Sequence, residues 1–536
     1  MNLKSKNLEK KIKEKIKPDR PKKAKGLILH LAAVCATVAF GLSMLPLYIV
    51  SFYGYAGGDD LAFGAPARHV MKNAPSLINL IRVGLRQVIN NYRVWQGTWS
   101  SVFLFCYEPS VFGDHAYFLT GWIGLFCVIT GTFCFLKTLL CDRMKMSRQA
   151  FHIIAAAAAF FEIHFIPSYS GIYLYTIMAH YTIPFWAGLV ALSAAMKVTD
   201  GKHKKSNFII ALIMMIYIGG AGYPPIAFAG LTVTLVLIDG LLKGKKGALR
   251  LLIPLVCLVA GFVISAKAPG NAARAGGTFD ITSEGIRTAV FNAFKDAWDA
   301  WNLEFEMIKP LFVLPAVTAL TVFADRDNIV ADQKKPFGPG AGAAGLLFWF
   351  KPVIAGAICF TVAAFVRIPL FYALLYPVSD GISSGVVVMH YFYWILMLTV
   401  WTAITTKWFI EITAFIFRRS SKPEGFIKHG IRAGIYVGTL VILIMICIIK
   451  REEYFCNSAF VRCHDAYKSG ELKAYKEEMD ARIALLNASD GKYIEIPTIK
   501  ADSFPFVKND VTGDPGSFTN KAYESFYGVE KIVGVE

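Results

Sequence analysis

No Walker A loop, Rossmann glycine pattern, His-Glu-x-x-His or Cys-x-x-Cys occurs in these 536 residues, so nucleotide hydrolysis and zinc chemistry have no sequence support. No serine or cysteine has an identifiable base partner, and no internal repeat stands out. Charge is sparse. Only 18% of residues are Asp, Glu, Lys or Arg, while 55% are hydrophobic and 14% aromatic. With a mean hydropathy of +0.47, this composition excludes an ordinary soluble enzyme and fits a polytopic membrane protein. Acidic residues are outnumbered 38 to 56, leaving a net charge of +18. The excess does not imply a nucleic-acid partner, because the basic residues lie in short segments between apolar runs and form no basic helix or RNA-binding motif. Retention of cationic loops on the cytoplasmic side accounts for it. The ten cysteines mostly sit inside apolar runs, where they act as small hydrophobes. Cys456 and Cys463 lie in a polar tail, where a disulfide and two free thiols both remain open.

What is present is a series of apolar runs at roughly 27–51, 116–140, 149–166, 181–198, 207–221, 224–242, 249–267, 308–325, 346–366, 385–406 and 431–449. The first contains no Asp, Glu, Lys or Arg, is too long for a signal-peptide core and ends at no small-residue cleavage site, so it reads as a retained helix. Basic clusters follow every even-numbered run: Arg143, Lys145 and Arg148; Lys197, Lys202, Lys204 and Lys205; Lys243, Lys245, Lys246 and Arg250; Arg326, Lys334 and Lys335; Lys407, Arg418, Arg419, Lys422 and Lys428. That pattern predicts a cytoplasmic basic arm (1–25), a membrane domain (26–449) and an extracytoplasmic tail (450–536). The fold class expected is an all-α polytopic membrane protein of about eleven transmembrane helices with a small α+β tail. Gly219, Gly220, Gly222, Pro224 and Pro225 crowd one site, read as a tight turn between two short spans. Outer segments are expected at about 52–117, 268–306 and 367–384. The first shows amphipathic spacing through Leu77, Leu80, Ile81, Leu85 and Val88.

Ionisable groups avoid helix centres and gather at the outer ends of the spans, whereas a carrier more often places them near the midplane. Asp59 and Asp60, just past the first span, can deprotonate an acceptor or hold a cation beside a lipid-linked phosphate. Arg93, Trp95 and Gln96 interleave rings with hydrogen-bonding groups suited to sugars. Lys267, Asn271 and Arg274 leave a later span through a Pro-Gly turn, offering a guanidinium and an amide to phosphate oxygens. His180 and Tyr181 open the fourth run, and Arg367 ends the ninth. Glu162 and His164, ending the third run, read as a local hydrogen-bonded pair.

Three stretches carry a family resemblance: Asp59-Asp60-Leu61-Ala62-Phe63, Trp95-Gln96-Gly97-Thr98, and Ala268-Pro269-Gly270-Asn271-Ala272-Ala273-Arg274. With the ending Phe518-Thr519-Asn520-Lys521-Ala522-Tyr523-Glu524-Ser525-Phe526-Tyr527-Gly528-Val529, the chain resembles the GT-C class of integral membrane glycosyltransferases. Within that class it is similar to a bacterial family of glucosyltransferase-like polytopic membrane proteins. Thr98 departs from the family's arginine, and Tyr223-Pro224-Pro225 stands where relatives often have an acidic residue. The resemblance implies a bacterial plasma-membrane enzyme that moves a sugar from a polyprenyl-phosphate carrier to an envelope glycan or lipid acceptor on the outer face. It implies an inverting displacement with Asp59 as base, Asp60 in support and arginines on the departing phosphate. Some members of the class use a divalent cation and others do not, so the metal stays open. A transporter or flippase of lipid-linked saccharides and a non-catalytic envelope assembly protein are the other classes that fit so apolar a chain.

Overall fold

The computed structural model describes residues 20–202, 204–277, 282–307, 313–331, 348–375, 383–419, 438, 441, 445, 448–452 and 456–536. Among them, seven helices are long and apolar enough to cross a membrane: α1 (Leu27–Tyr53), α5 (Asp114–Arg143), α7 (Tyr175–Thr199), α9 (Tyr223–Leu242), α10 (Lys246–Ala266), α14 (Lys351–Ala373) and α15 (Ser384–Phe415). This is a multi-pass membrane protein. Between α1 and α5 lie three non-spanning helices, α2 (Asp59–Asn73), α3 (Leu77–Val94) and α4 (Trp99–Phe105). The expected runs at 149–166, 207–221 and 308–325 correspond to shorter helices, α6 (Arg148–His164), α8 (Lys205–Gly219) and α13 (Val313–Ala324). Two further helices, α11 (Pro269–Arg274) and α12 (Ser283–Met307), connect α10 to α13. Most of the last run, 431–449, lies outside the described residues, as do nearly all of the basic arm and Lys334, Lys335, Lys422 and Lys428.

The helix ends sort onto two faces. On one, Arg143 pairs with Asp200 at 3.1 Å and Asp239 at 3.4 Å, Lys202 with Asp142 at 2.8 Å, and Lys245 with Asp200 at 2.5 Å. The Ser147 N–H donates to Asp325 at 2.7 Å, and Lys407 donates to the Met144 carbonyl at 2.6 Å. The basic ends of α5, α7, α9 and the later part of α15 thus meet, joined by the end of α13. The opposite face gathers α2, α3, α4, the start of α7, the α8–α9 turn, α10's end and the C-terminal tail. Helix α6 runs from the first face, beside Asp325, to the second, where the Phe460 N–H donates to His164 Nδ1 at 3.1 Å. Its buried stripe of Ala155, Ala156, Ala158 and Ala159 lets neighbouring helices approach closely.

The tail folds as α16 (Ala459–Ser469), α17 (Glu471–Ala488), β1 (Tyr493–Pro497), α18 (Phe518–Tyr527) and β2 (Lys531–Val535). The strands pair in parallel, Tyr493 opposite Lys531 through Pro497 opposite Val535, as a connection through α18 requires. This unit docks on the segment that follows α1. Tyr55 donates to Asp480, and Lys476 donates to the Tyr55 hydroxyl at 2.8 Å. Arg68 of α2 pairs with Asp114 at 2.8 Å and lies 5.2 Å from the Phe526 ring centroid. Asn487 and Tyr527 both donate to Asp114, each at 3.3 Å. The tail therefore shares a side with residues 54–73. Cys456 is exposed and Cys463 buried, and both are free thiols, so no disulfide joins them.

Candidate active site

Helix α2 begins abruptly at the aspartate pair. Gly58 has a φ of +49°, in the left-handed region where a side chain is strained, and a Cβ there would lie 2.9 Å from Asn509 Nδ2 of the tail. The next two residues then diverge, because successive side chains on a helix are about 100° apart. Asp60 turns inward and is fully buried. It accepts hydrogen bonds from the Tyr117 hydroxyl and from the N–H groups of Tyr175 at 3.0 Å and Thr176 at 2.8 Å. Those N–H groups are the unsatisfied donors that open α7, so Asp60 caps a membrane helix from a distance. Burial still pushes its pKa up to about 6, against the lowering effect of these bonds. Glu108, also fully buried, donates nothing to this cap. One of its oxygens accepts from the Ser110 N–H at 2.8 Å, and burial and the nearby Asp60 raise its pKa well above the usual range.

Asp59 opens outward and makes no side-chain hydrogen bond among the described residues. The protein around it raises its pKa, and the charge of Arg274 opposes that rise. Residues 215 positions apart in sequence are thereby within electrostatic reach of each other. Phe63, one turn beyond Asp59 on the same helix face, lies 5.2 Å from the Trp95 ring, and the Arg274 guanidinium sits 5.2 Å from that ring's centroid. Arg274 also donates to Gln96 Oε1 at 2.9 Å. Among the described residues this exposed guanidinium forms no ion pair.

Two glycines hold this arrangement. A Cβ on Gly97 would lie 1.9 Å from the Ser265 carbonyl oxygen, and one on Gly270 would lie 2.6 Å from the Trp95 nitrogen. The Trp-Gln-Gly and Ala-Pro-Gly-Asn stretches are thus packed backbone against backbone. Asn271 clips them together: its Oδ1 accepts from the Gly97 N–H at 3.1 Å while its Nδ2 donates to the Ser265 and Ala266 carbonyls at 2.8 and 3.1 Å. Expected as a substrate ligand, Asn271 spends both ends on the backbone and acts as a scaffold. His180 and Tyr181 lie in a π-helical turn of α7, Met178–Thr182, with their rings 4.5 Å apart and His180 5.8 Å from Phe105. Three buried atoms here, Gln96 Nε2, Thr98 Oγ1 and His180 Nδ1, have no hydrogen-bond partner.

Other expected site residues stand apart. Arg93 and Lys267 are exposed and make no ion pair among the described residues. Arg367 is buried and paired with Asp296 of α12 at 2.8 Å, a structural ion pair where a substrate contact was expected. Glu162 and His164 do not bond each other: Glu162 accepts from Thr132 at 2.6 Å, and His164 Nε2 lies 3.0 Å from Ser43 Oγ. No group of three or more His, Cys, Asp or Glu among the described residues is placed to hold a metal. With Asp60 committed to its cap, Asp59 alone is too small a donor set for a divalent cation. Sequence reading gave Phe63 and the two glycines no role beyond membership of the quoted motifs, and missed Tyr117. The i, i+4 relation of Asp59 and Phe63 was the available signal for the first.

Searches against family models, curated proteins and solved structures find no match. The functional reading therefore rests on the residues themselves.

Proposed function

We propose that this protein transfers a sugar from a polyprenyl-phosphate carrier to an acceptor hydroxyl at the outer membrane surface. The observation that carries the reading is Arg274, which donates to Gln96 and lies over the Trp95 ring beside Phe63, one helical turn from the unbonded carboxylate of Asp59. Asp59 takes the acceptor proton as the hydroxyl oxygen attacks the anomeric carbon. The bond from that carbon to the phosphate oxygen breaks, its electron pair leaves with the lipid phosphate, and Arg274 stabilises the charge that develops there. Trp95 and Phe63 offer faces to the sugar ring. Gln96 Nε2 and His180 Nδ1 are buried polar atoms that a ligand hydroxyl would satisfy. A donor carried by the bilayer suits a site flanked by spanning helices, where soluble nucleotide sugars are absent.

The test is transfer by the purified protein in vesicles, using a labelled polyprenyl-phosphate sugar and an envelope acceptor fraction. Asp59→Asn is expected to lower the rate by about 10²–10⁴-fold without changing thermal stability. Full activity in that variant would remove the carboxylate mechanism. Movement of the labelled lipid across the bilayer with no glycosidic bond formed by the unsubstituted protein would replace this reading with a flippase.

A further inference from the structure

Helix α3 is not absorbed by this site, although Arg93 on it was expected there. Its Ser76 cap accepts from the Asn79 N–H at 3.1 Å, and its 18 residues include no acidic side chain. Leu77, Ile78, Ile81, Leu85 and Ile89 are each between 43% and 73% exposed. At about 100° per residue they fall on one arc of the helix. Arg82, Arg86 and Arg93, all exposed and without an ion pair among the described residues, occupy the neighbouring arc. The remaining side packs inward through Gly84 and Asn91, with the Tyr107 hydroxyl donating to the Leu80 carbonyl at 2.8 Å.

Two observations say what covers the exposed arc. The Tyr92 hydroxyl donates to the Ile264 carbonyl at 3.1 Å, joining α3 to the end of the spanning helix α10. The outward residues of α10, Val256, Val259, Val263 and Ile264, are themselves exposed apolar side chains facing where lipid must lie. The apolar arc of α3 thus continues a lipid-facing surface at its boundary, and the arginine row beside it complements phosphate. We infer that α3 is an interfacial helix, its apolar arc sunk among acyl chains and Arg82, Arg86 and Arg93 binding the headgroups of anionic lipids. This inference stands independently of the sugar-transfer reading.

The test uses the full chain in vesicles of phosphatidylcholine and phosphatidylglycerol. Benzoylphenylalanine in place of Leu85 is expected to give photo-adducts with lipid acyl chains, and in place of Asn90, on the polar side, none. In native mass spectrometry of the extracted protein, replacing Arg82, Arg86 and Arg93 by Gln is expected to lower retained phosphatidylglycerol by roughly fivefold for each arginine removed. A Leu85 adduct to a second copy of the chain, or no lipid adduct, overturns the interfacial placement and does so without any arginine substitution. Lipid adducts with unchanged phosphatidylglycerol retention overturn the headgroup assignment.

Discussion

Asp59 and Asp60 are one peptide bond apart, yet they belong to different problems. The first lies open and under the influence of the Arg274 charge; the second closes the start of α7. Replacing Asp60 by Asn puts an amide where two N–H donors and a hydroxyl need acceptors, and is expected to cost about 1–3 kcal/mol in stability. Differential scanning measurements should show that loss, with Asp59→Asn unaffected. The pH dependence has a definite sign. The Asp60 pKa rises from 3.8 to about 6 on folding, so its stabilising share is complete at low pH and is lost as pH rises through about 6. The gap in melting temperature between the unsubstituted protein and Asp60→Asn should be widest near pH 4 and narrow toward pH 7. Asp59 gives a kinetic counterpart. Arg274 holds its raised pKa down, so Arg274→Gln should move the acid limb of the transfer rate to higher pH in addition to slowing the reaction. A limb that stays in place would mean that Asp59 is not the titrating base.

The elements that form the site are short segments locked by close approach rather than by long helices. Their motifs were legible, because Trp-Gln-Gly and Pro-Gly-Asn-x-x-Arg stand out against apolar surroundings. Their contact was not, since it depends on backbone meeting backbone across the 174 positions between Gly97 and Asn271. The same limit explains Arg367, whose Asp296 partner lies 71 positions earlier and gives no local signal. It also explains Asn271, whose side chain looked like a ligand group until both of its ends were seen to be engaged. Gly97→Ala forces a methyl into the Ser265 carbonyl, which cannot yield without moving the end of α10. Overpacking of this kind typically costs about 1–3 kcal/mol. A fall in melting temperature with loss of transfer is expected, while Gly41→Ala, with open space around it, should change neither.

Over the whole molecule, hydropathy located the long spans because composition alone decides them, and the charge pattern anticipated which helix ends would meet. Arg143, Lys202, Lys245 and Lys407 were grouped from sequence as one side, and their ion pairs and hydrogen bonds do gather on one face. The tail's docking was not readable, since Tyr55, Asp114 and Asp480 carry no pattern that names their partners. That docking constrains topology more tightly than any count of spans: a tail bonded to residues 55–73 must lie on the side reached by the first crossing. If the lysine-rich arm stays in the cytoplasm, that side is external. New cysteines at Tyr493 and His115, both exposed, should react with an impermeant maleimide on intact cells, read above the uptake of a background in which Cys35 and Cys456 are replaced by Ser. A cysteine at Lys246, on the basic face, should react only after permeabilisation. Tyr493→Cys labelling together with Lys246→Cys would break the two-face arrangement. Labelling of Lys246→Cys alone on intact cells would invert it and place Asp59 and Arg274 in the cytoplasm, where nucleotide sugars are available and the need for a lipid-linked donor disappears.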